Sequence, residues 1–131
     1  MSESNVEIVR ELYRRAQHDG RFPDELLADE IEWVNPPDAV ETGVRSGREQ
    51  FHTAMRSTGE AFDQTAVEPQ EWIDAGDQIV LLCIWVVRGR ASGLERRQQQ
   101  GHVWTLRDGK AVRFAWFNDQ AEALKEAGFE R

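Results

Sequence analysis

Cysteine is nearly absent. Cys83 is the one cysteine in 131 residues, which excludes an internal disulfide and any zinc site built from several thiolates. Long apolar runs are missing too. The longest, Ile79 to Val87, has nine residues, against the roughly 20 that a membrane-spanning helix needs. The opening Met-Ser-Glu-Ser-Asn carries neither the basic region nor the apolar stretch of a secretory signal. The expectation is a cytoplasmic protein with no membrane partner. His18, His52 and His102 stand far apart, with no carboxylate at a metal-binding offset, so no metal is expected. Gly89, Gly93 and Gly101 fit no phosphate loop, dinucleotide fingerprint or nucleophile elbow, and no cofactor is expected. Basic charge is also short. Lys+Arg number 16 against 24 Asp+Glu, a net of -8, and such a surface repels nucleic acid on average.

What remains is the length of one domain, 40% apolar and 31% charged, with five tryptophans. The charge is uneven. Residues 1–77 hold 18 acids and 7 bases, a balance of -11; residues 78–131 hold 6 acids and 9 bases, a balance of +3. Much of that basic excess is Arg88, Arg90, Arg96 and Arg97. It suits a solvated hairpin better than an anion-binding edge.

Apolar spacing predicts a helix from Asn5 to Asp19. Val6, Val9, Leu12, Tyr13 and Ala16 share a stripe, Ser4 and Glu7 have capping-box spacing, and Gly20 closes the end. A short helix after Pro23 and a strand from Ile31 to Asn35 follow, the strand stopped by Pro36-Pro37. Asp38 to Arg45 is expected to be loop. The next helix is predicted to start at Ser46, capped with Glu49, with Phe51, Met55, Thr58 and Phe62 on one face.

From Thr65 the period shortens to that of strands. Thr65–Asp74 carries Pro69, which argues for an edge or a bulge. Gln78–Arg90 is apolar enough to be covered on both faces. Glu95–Arg107 and Lys110–Asn118 flank Asp108-Gly109, a tight-turn signal. A last helix begins at Asp119, whose spacing to Glu122 is that of a cap, and Gly128-Phe129 suits a Schellman ending. Consecutive hairpins with helices on one side make an α+β domain with a curved antiparallel sheet.

This order, the segment Val103-Trp-Thr-Leu-Arg-Asp-Gly-Lys and the ending Trp-Phe-Asn-Asp-Gln-Ala-Glu-Ala-Leu-Lys-Glu-Ala-Gly-Phe resemble the SnoaL-like branch of the nuclear transport factor 2-like superfamily. The resemblance covers nearly the whole chain and implies a single domain, a sheet wrapped with helices into a cone around a pocket. That superfamily includes polyketide cyclases, ketosteroid isomerases, hydrolases and non-catalytic binding proteins, so the fold alone selects no activity. In the isomerase branch a carboxylate moves a proton and two acidic donors hold the enolate oxygen. The resemblance places Tyr13 at one donor position and His102 near the other. Trp33-Val34-Asn35-Pro36 falls where that branch keeps its base, and an amide accepts no proton at neutral pH.

Alternation puts Gln98, Gln100, His102 and Trp104 on one face, and Phe114, Trp116 and Asn118 on one face of the last strand. The candidate catalytic set is therefore His102, Tyr13 and, as the carboxylate near the last strand's end, Asp119. The candidate ligand-lining set is Trp33, Asn35, Phe51, Met55, Trp116 and Asn118. These suit a small apolar or polycyclic ligand. Structural roles compete at each position: a core tyrosine, a sheet histidine, a turn-forming Asn35 and a helix-capping Asp119. Three functions stay open: a cofactor-independent acid–base enzyme, a binding module, and an interaction protein whose pocket is filled by its own side chains. A homodimer through the uncovered sheet face is also expected, with Trp85, Val87 and Trp104 as contributors.

Overall fold

In the computed structural model, residues 4–41, 43–60 and 62–129 are described. The element order is α1 (Asn5–Asp19), a 3-10 turn (Asp24–Leu26), β1 (Leu27–Asn35), β2 (Gly43–Ser46), α2 (Arg48–Gly59), β3 (Phe62–Asp74), β4 (Gln78–Gly89), β5 (Glu95–Arg107), β6 (Lys110–Phe117) and α3 (Gln120–Glu126). The six strands form one curved, unclosed sheet in the order β2-β1-β6-β5-β4-β3.

The helix ends follow the local chemistry. The Ser4 hydroxyl accepts from the Glu7 N–H at 3.3 Å, and Gly20, at φ 79°, returns its N–H to the Ala16 carbonyl. At the other end, Phe129 N–H reaches Leu124 and Gly128 N–H reaches Lys125, the paired bonds of a Schellman ending. Asp108 and Gly109 both have positive φ, as the tight β5–β6 turn requires. Pro69 satisfies both expectations for it: β3 is an edge strand, and its register shifts between Pro69 and Glu71.

Strands β3 to β6 pair antiparallel in sequence order, but β1 joins β6 in parallel, so the sheet is mixed. The stretch Asp38–Arg45 is not all loop, because Gly43–Ser46 forms β2 on the edge of β1. Ser46 is engaged in that ladder opposite Glu32 and caps nothing. The residue before α2 is Gly47, which makes no side-chain cap bond and anchors its N–H on the Ile31 carbonyl. Phe62 leaves the helical stripe as well: it opens β3 and packs edge-on against Trp85. The Thr58 side chain lies outside the described residues.

The two sheet faces carry separate cores. On the inner face, α1 and α2 bring Ile8, Val9, Leu12, Phe51 and Ala54 onto Ile31, Trp33, Ile79, Trp104 and Phe114. On the outer face, α3 sets Ala123 and Leu124 against Val80, Leu82 and Val103. Gly101 sets how close α3 comes: a Cβ there would lie 2.3 Å from the Ala123 Cβ. No helix among the described residues is long and apolar enough to cross a membrane.

Candidate functional site

The inner face of β5 presents Gln98, Gln100, His102 and Trp104 in alternation, as the sequence pattern predicts. Helix α1 lowers Tyr13 onto this row. Trp104 Nε1–H donates to the Tyr13 hydroxyl at 2.9 Å, and that oxygen lies 2.6 Å from His102 Nδ1. The other ring nitrogen, Nε2, is 3.0 Å from Gln100 Oε1, an atom that can only accept. The partners therefore assign the proton to Nε2, leaving Nδ1 to accept from Tyr13. Gln100 and Gln98 both donate to Asn118 Oδ1, at 3.5 and 2.5 Å, and Asn118 Nδ2 donates to Asp38 Oδ2 at 3.3 Å. Every donor points outward, from a tryptophan 0% exposed to a carboxylate at the surface.

This chain is neutral until it reaches Asp38. Burial lowers the His102 imidazole to about 4 and pushes the Tyr13 hydroxyl well above its ordinary value. The Cys83 thiol lies 3.8–4.0 Å from the imidazole nitrogens, and burial raises it to about 12. A thiolate–imidazolium pair is therefore disfavoured, and the thiol points to the Gln100 carbonyl. Among the described residues no group of His, Cys, Asp and Glu is placed to hold a metal ion.

A second polar knot lies on β1 and β6. Asn35 Oδ1 accepts from Trp33 Nε1 at 2.8 Å and from Trp116 Nε1 at 2.9 Å. The parallel pairing of β1 with β6 brings these three together across 81 residues of chain. An amide oxygen with two indole donors orients rings; it offers no basic site.

The structure thus brings Tyr13 together with His102, Asn35 with Trp33 and Trp116, and Asn118 with the outer end of the His102 chain. Phe51 is wholly buried among Phe22, Trp33, Trp104 and Phe114, and Met55 packs half-buried on the same cluster. Asp119 stands apart. It is exposed, and its carboxylate accepts the Ala121 N–H at 2.8 Å as the cap of α3. Two expected dimer contributors lie inside the chain: Trp104 is fully buried on the inner face and Val87 is 3% exposed. Alternation puts Gln98 and Gln100 on the observed face but gives them no role, and Asp38, in a loop, carries no pattern that points to the network. A long polar side chain at alternate positions before His102 was the available signal.

Over residues 9–114 the sequence matches the family described as SnoaL-like domain. The chain belongs to that family. Comparison with curated proteins finds no match. Among solved structures, the SnoaL-like chain is similar to an NTF2-like protein of unknown function from Burkholderia pseudomallei. The two are 26% identical, with 98% of this chain and 100% of that one covered and a TM-score of 0.76. It is similar to TerC, co-crystallised with polyporic acid, at 22% identity, 95% and 98% coverage and a TM-score of 0.73. It is also similar to a protein from Jannaschia described as a SnoaL-like polyketide cyclase, at 16% identity, 89% and 90% coverage and a TM-score of 0.74. At these identities the last two show a shared fold.

Proposed function

We propose that this SnoaL-like protein is a binding module for a small, largely apolar molecule. The ligand enters where the inner face reaches the surface, beside Trp33 and Trp116, with Gln98, Asn118 and Asp38 as its polar contacts. One observation carries binding over turnover: the polar row on the inner face is neutral from Trp104 to Asn118. Such a chain needs every partner in place, and an apolar core of equal volume is often as stable. Its presence supports a recognition role. The co-crystallised ligand of TerC, on the same fold, is in keeping with this.

Isomerase- or cyclase-like chemistry has less support. At position 35 the basic group is replaced by an amide already holding two indoles. An imidazole with a pKa of about 4, its lone pair taken by Tyr13, is a weak base at neutral pH. Tyr13 would act as a neutral donor to a developing oxyanion only by leaving its bond to His102 Nδ1.

The filled-pocket reading has its own observation. Two grooves lie away from the inner-face row, one lined by Thr65, Val87, Arg88 and Glu95, the other by Arg21 and Asp24 with residues of α2. On this reading a ligand displaces side chains to enter. Incubation with polyporic acid and other polycyclic aromatic compounds, followed by melting and chromatography, separates the three readings. A raised Tm with the compound recovered unchanged supports the binding module. Conversion over time gives an enzyme, and no shift with any compound gives a filled interior. Pairing of two copies through the sheet face belongs to the same proposal. Sedimentation as a 15.1 kDa species at micromolar concentration overturns that part.

A further inference from the structure

A second groove, of about 290 Å3, lies between α2 and the segment before β1. It is lined by Arg21, Asp24, Arg48, Glu49, His52 and Arg56. Arg48, His52 and Arg56 recur at every fourth residue and so share one face of α2. The groove stands out against its setting. Residues 1–77 carry a balance of -11 with only seven basic residues, all arginine. Four of them, Arg10, Arg14, Arg15 and Arg45, pair with Glu7, Glu11, Glu25 and Glu41. The other three line this groove.

These three are held to different degrees. Arg48 is committed, with two bonds to the Leu27 carbonyl and an ion pair with Asp29. Arg21 reaches both Asp24 oxygens only at 3.3–3.4 Å. Arg56 bonds the Thr53 hydroxyl at 3.3 Å and has no carboxylate partner among the described residues. Beside them His52 is 8% exposed. Its Nε2 lies 2.6 Å from Asp24 Oδ1, while the buried Nδ1 has no hydrogen-bond partner among the described residues. Asp24 already meets His52 and Arg21, and their contacts lower its pKa. Glu49 is the carboxylate that opposes an incoming anion.

We propose that this groove is a binding site for a phosphate group, either free phosphate or a phosphate monoester, held by the guanidiniums of Arg56 and Arg21 beside His52. Guanidinium forks match phosphate oxygens, and a dianion engages several of them at once, where a single carboxylate gains less. The site is separate from the inner face and does not depend on what binds there.

The test is calorimetric titration of the whole protein with inorganic phosphate, phenyl phosphate and acetate at constant ionic strength. Saturable binding of phosphate is expected, weakened about tenfold by Arg56→Gln. Glu49→Gln, which removes the opposing charge, should tighten it. Tighter binding of phenyl phosphate assigns a monoester; equal binding assigns free phosphate. The proposal is overturned by no saturation with either phosphate compound, by equal affinity for acetate, or by unchanged affinity in Arg56→Gln. Arg56 and Glu49 are both exposed, so neither variant threatens the core.

Discussion

Replacing Tyr13 by Phe tests the inner-face chain at the point where the two halves of the protein meet. The ring remains, with its edge contacts to Phe22, Trp72 and Trp104, so little packing is lost. The hydroxyl goes, and two groups lose their partner: the Trp104 indole N–H and His102 Nδ1. Both belong to residues with 6% exposure or less. An orphaned buried polar group costs about 1–3 kcal/mol, partly offset because Phe has no hydroxyl to desolvate, so the net loss should be about 2–4 kcal/mol. With a urea m-value of about 1.5 kcal/mol/M, the midpoint falls by roughly 1.3–2.7 M. Urea unfolding followed by tryptophan fluorescence measures it, with m unchanged as the check on two-state behaviour. The acid-dependent loss of stability should also shrink, because without the Tyr13 hydrogen bond to neutral His102 the folded-state imidazole pKa rises toward its ordinary value. A loss below about 0.5 kcal/mol is the range of an ordinary surface change and would refute the chain as described.

Three further outcomes follow from the same structure. Burial holds the folded-state His102 pKa at about 4, below the ordinary 6.5 of an imidazole. Stability is thus fully present above pH 6.5 and is lost as pH falls toward 4, by about 3 kcal/mol in total; His102→Gln should flatten that limb, and an unchanged slope counts against burial as its cause. Gly101→Ala forces a Cβ into Ala123 and should destabilise by about 1–3 kcal/mol, with Ala123→Gly in the same chain restoring most of it; additive losses in thermal melts would show that the two do not touch. Cys83, buried with a thiol pKa of about 12, should react with a thiol reagent only at the rate of opening, and fast labelling of the native protein contradicts its placement.

Much of the architecture is local and was therefore legible. The stripe of α1, the Asp108-Gly109 turn, the cap at Asp119 and the bulged edge at Pro69 each depend on residues a few positions apart. Strand β2 was not legible, because Gly-Val-Arg-Ser has four residues, no alternation and an edge position. The parallel union of β1 with β6 was hidden for a different reason. It joins segments some 80 residues apart, and neither strand carries a mark of its partner's direction. The same distance hid the site's connections. Alternation placed His102 and Trp104 on one face, but Tyr13, 89 residues earlier, reaches them only through the docking of α1.

The acidic composition bears on function through where the acids are not. The chain has 24 carboxylates, yet those in its hydrogen-bond network stand at the surface. Asp38 ends the inner chain from an exposed loop, Asp119 caps α3, and Asp24 meets His52 at the rim of the α2 groove. The buried polar positions are held instead by glutamine, histidine and, half-buried, tyrosine and asparagine, side chains that can stay neutral in a low dielectric without a counter-ion. A carboxylate at Asn35 would face two indole donors that stabilise its ionised form, so that position could hold a charge. The amide found there keeps the same hydrogen bonds and gives up the base. An amide there orients both indoles without offering a proton acceptor, which supports the proposed binding role over turnover.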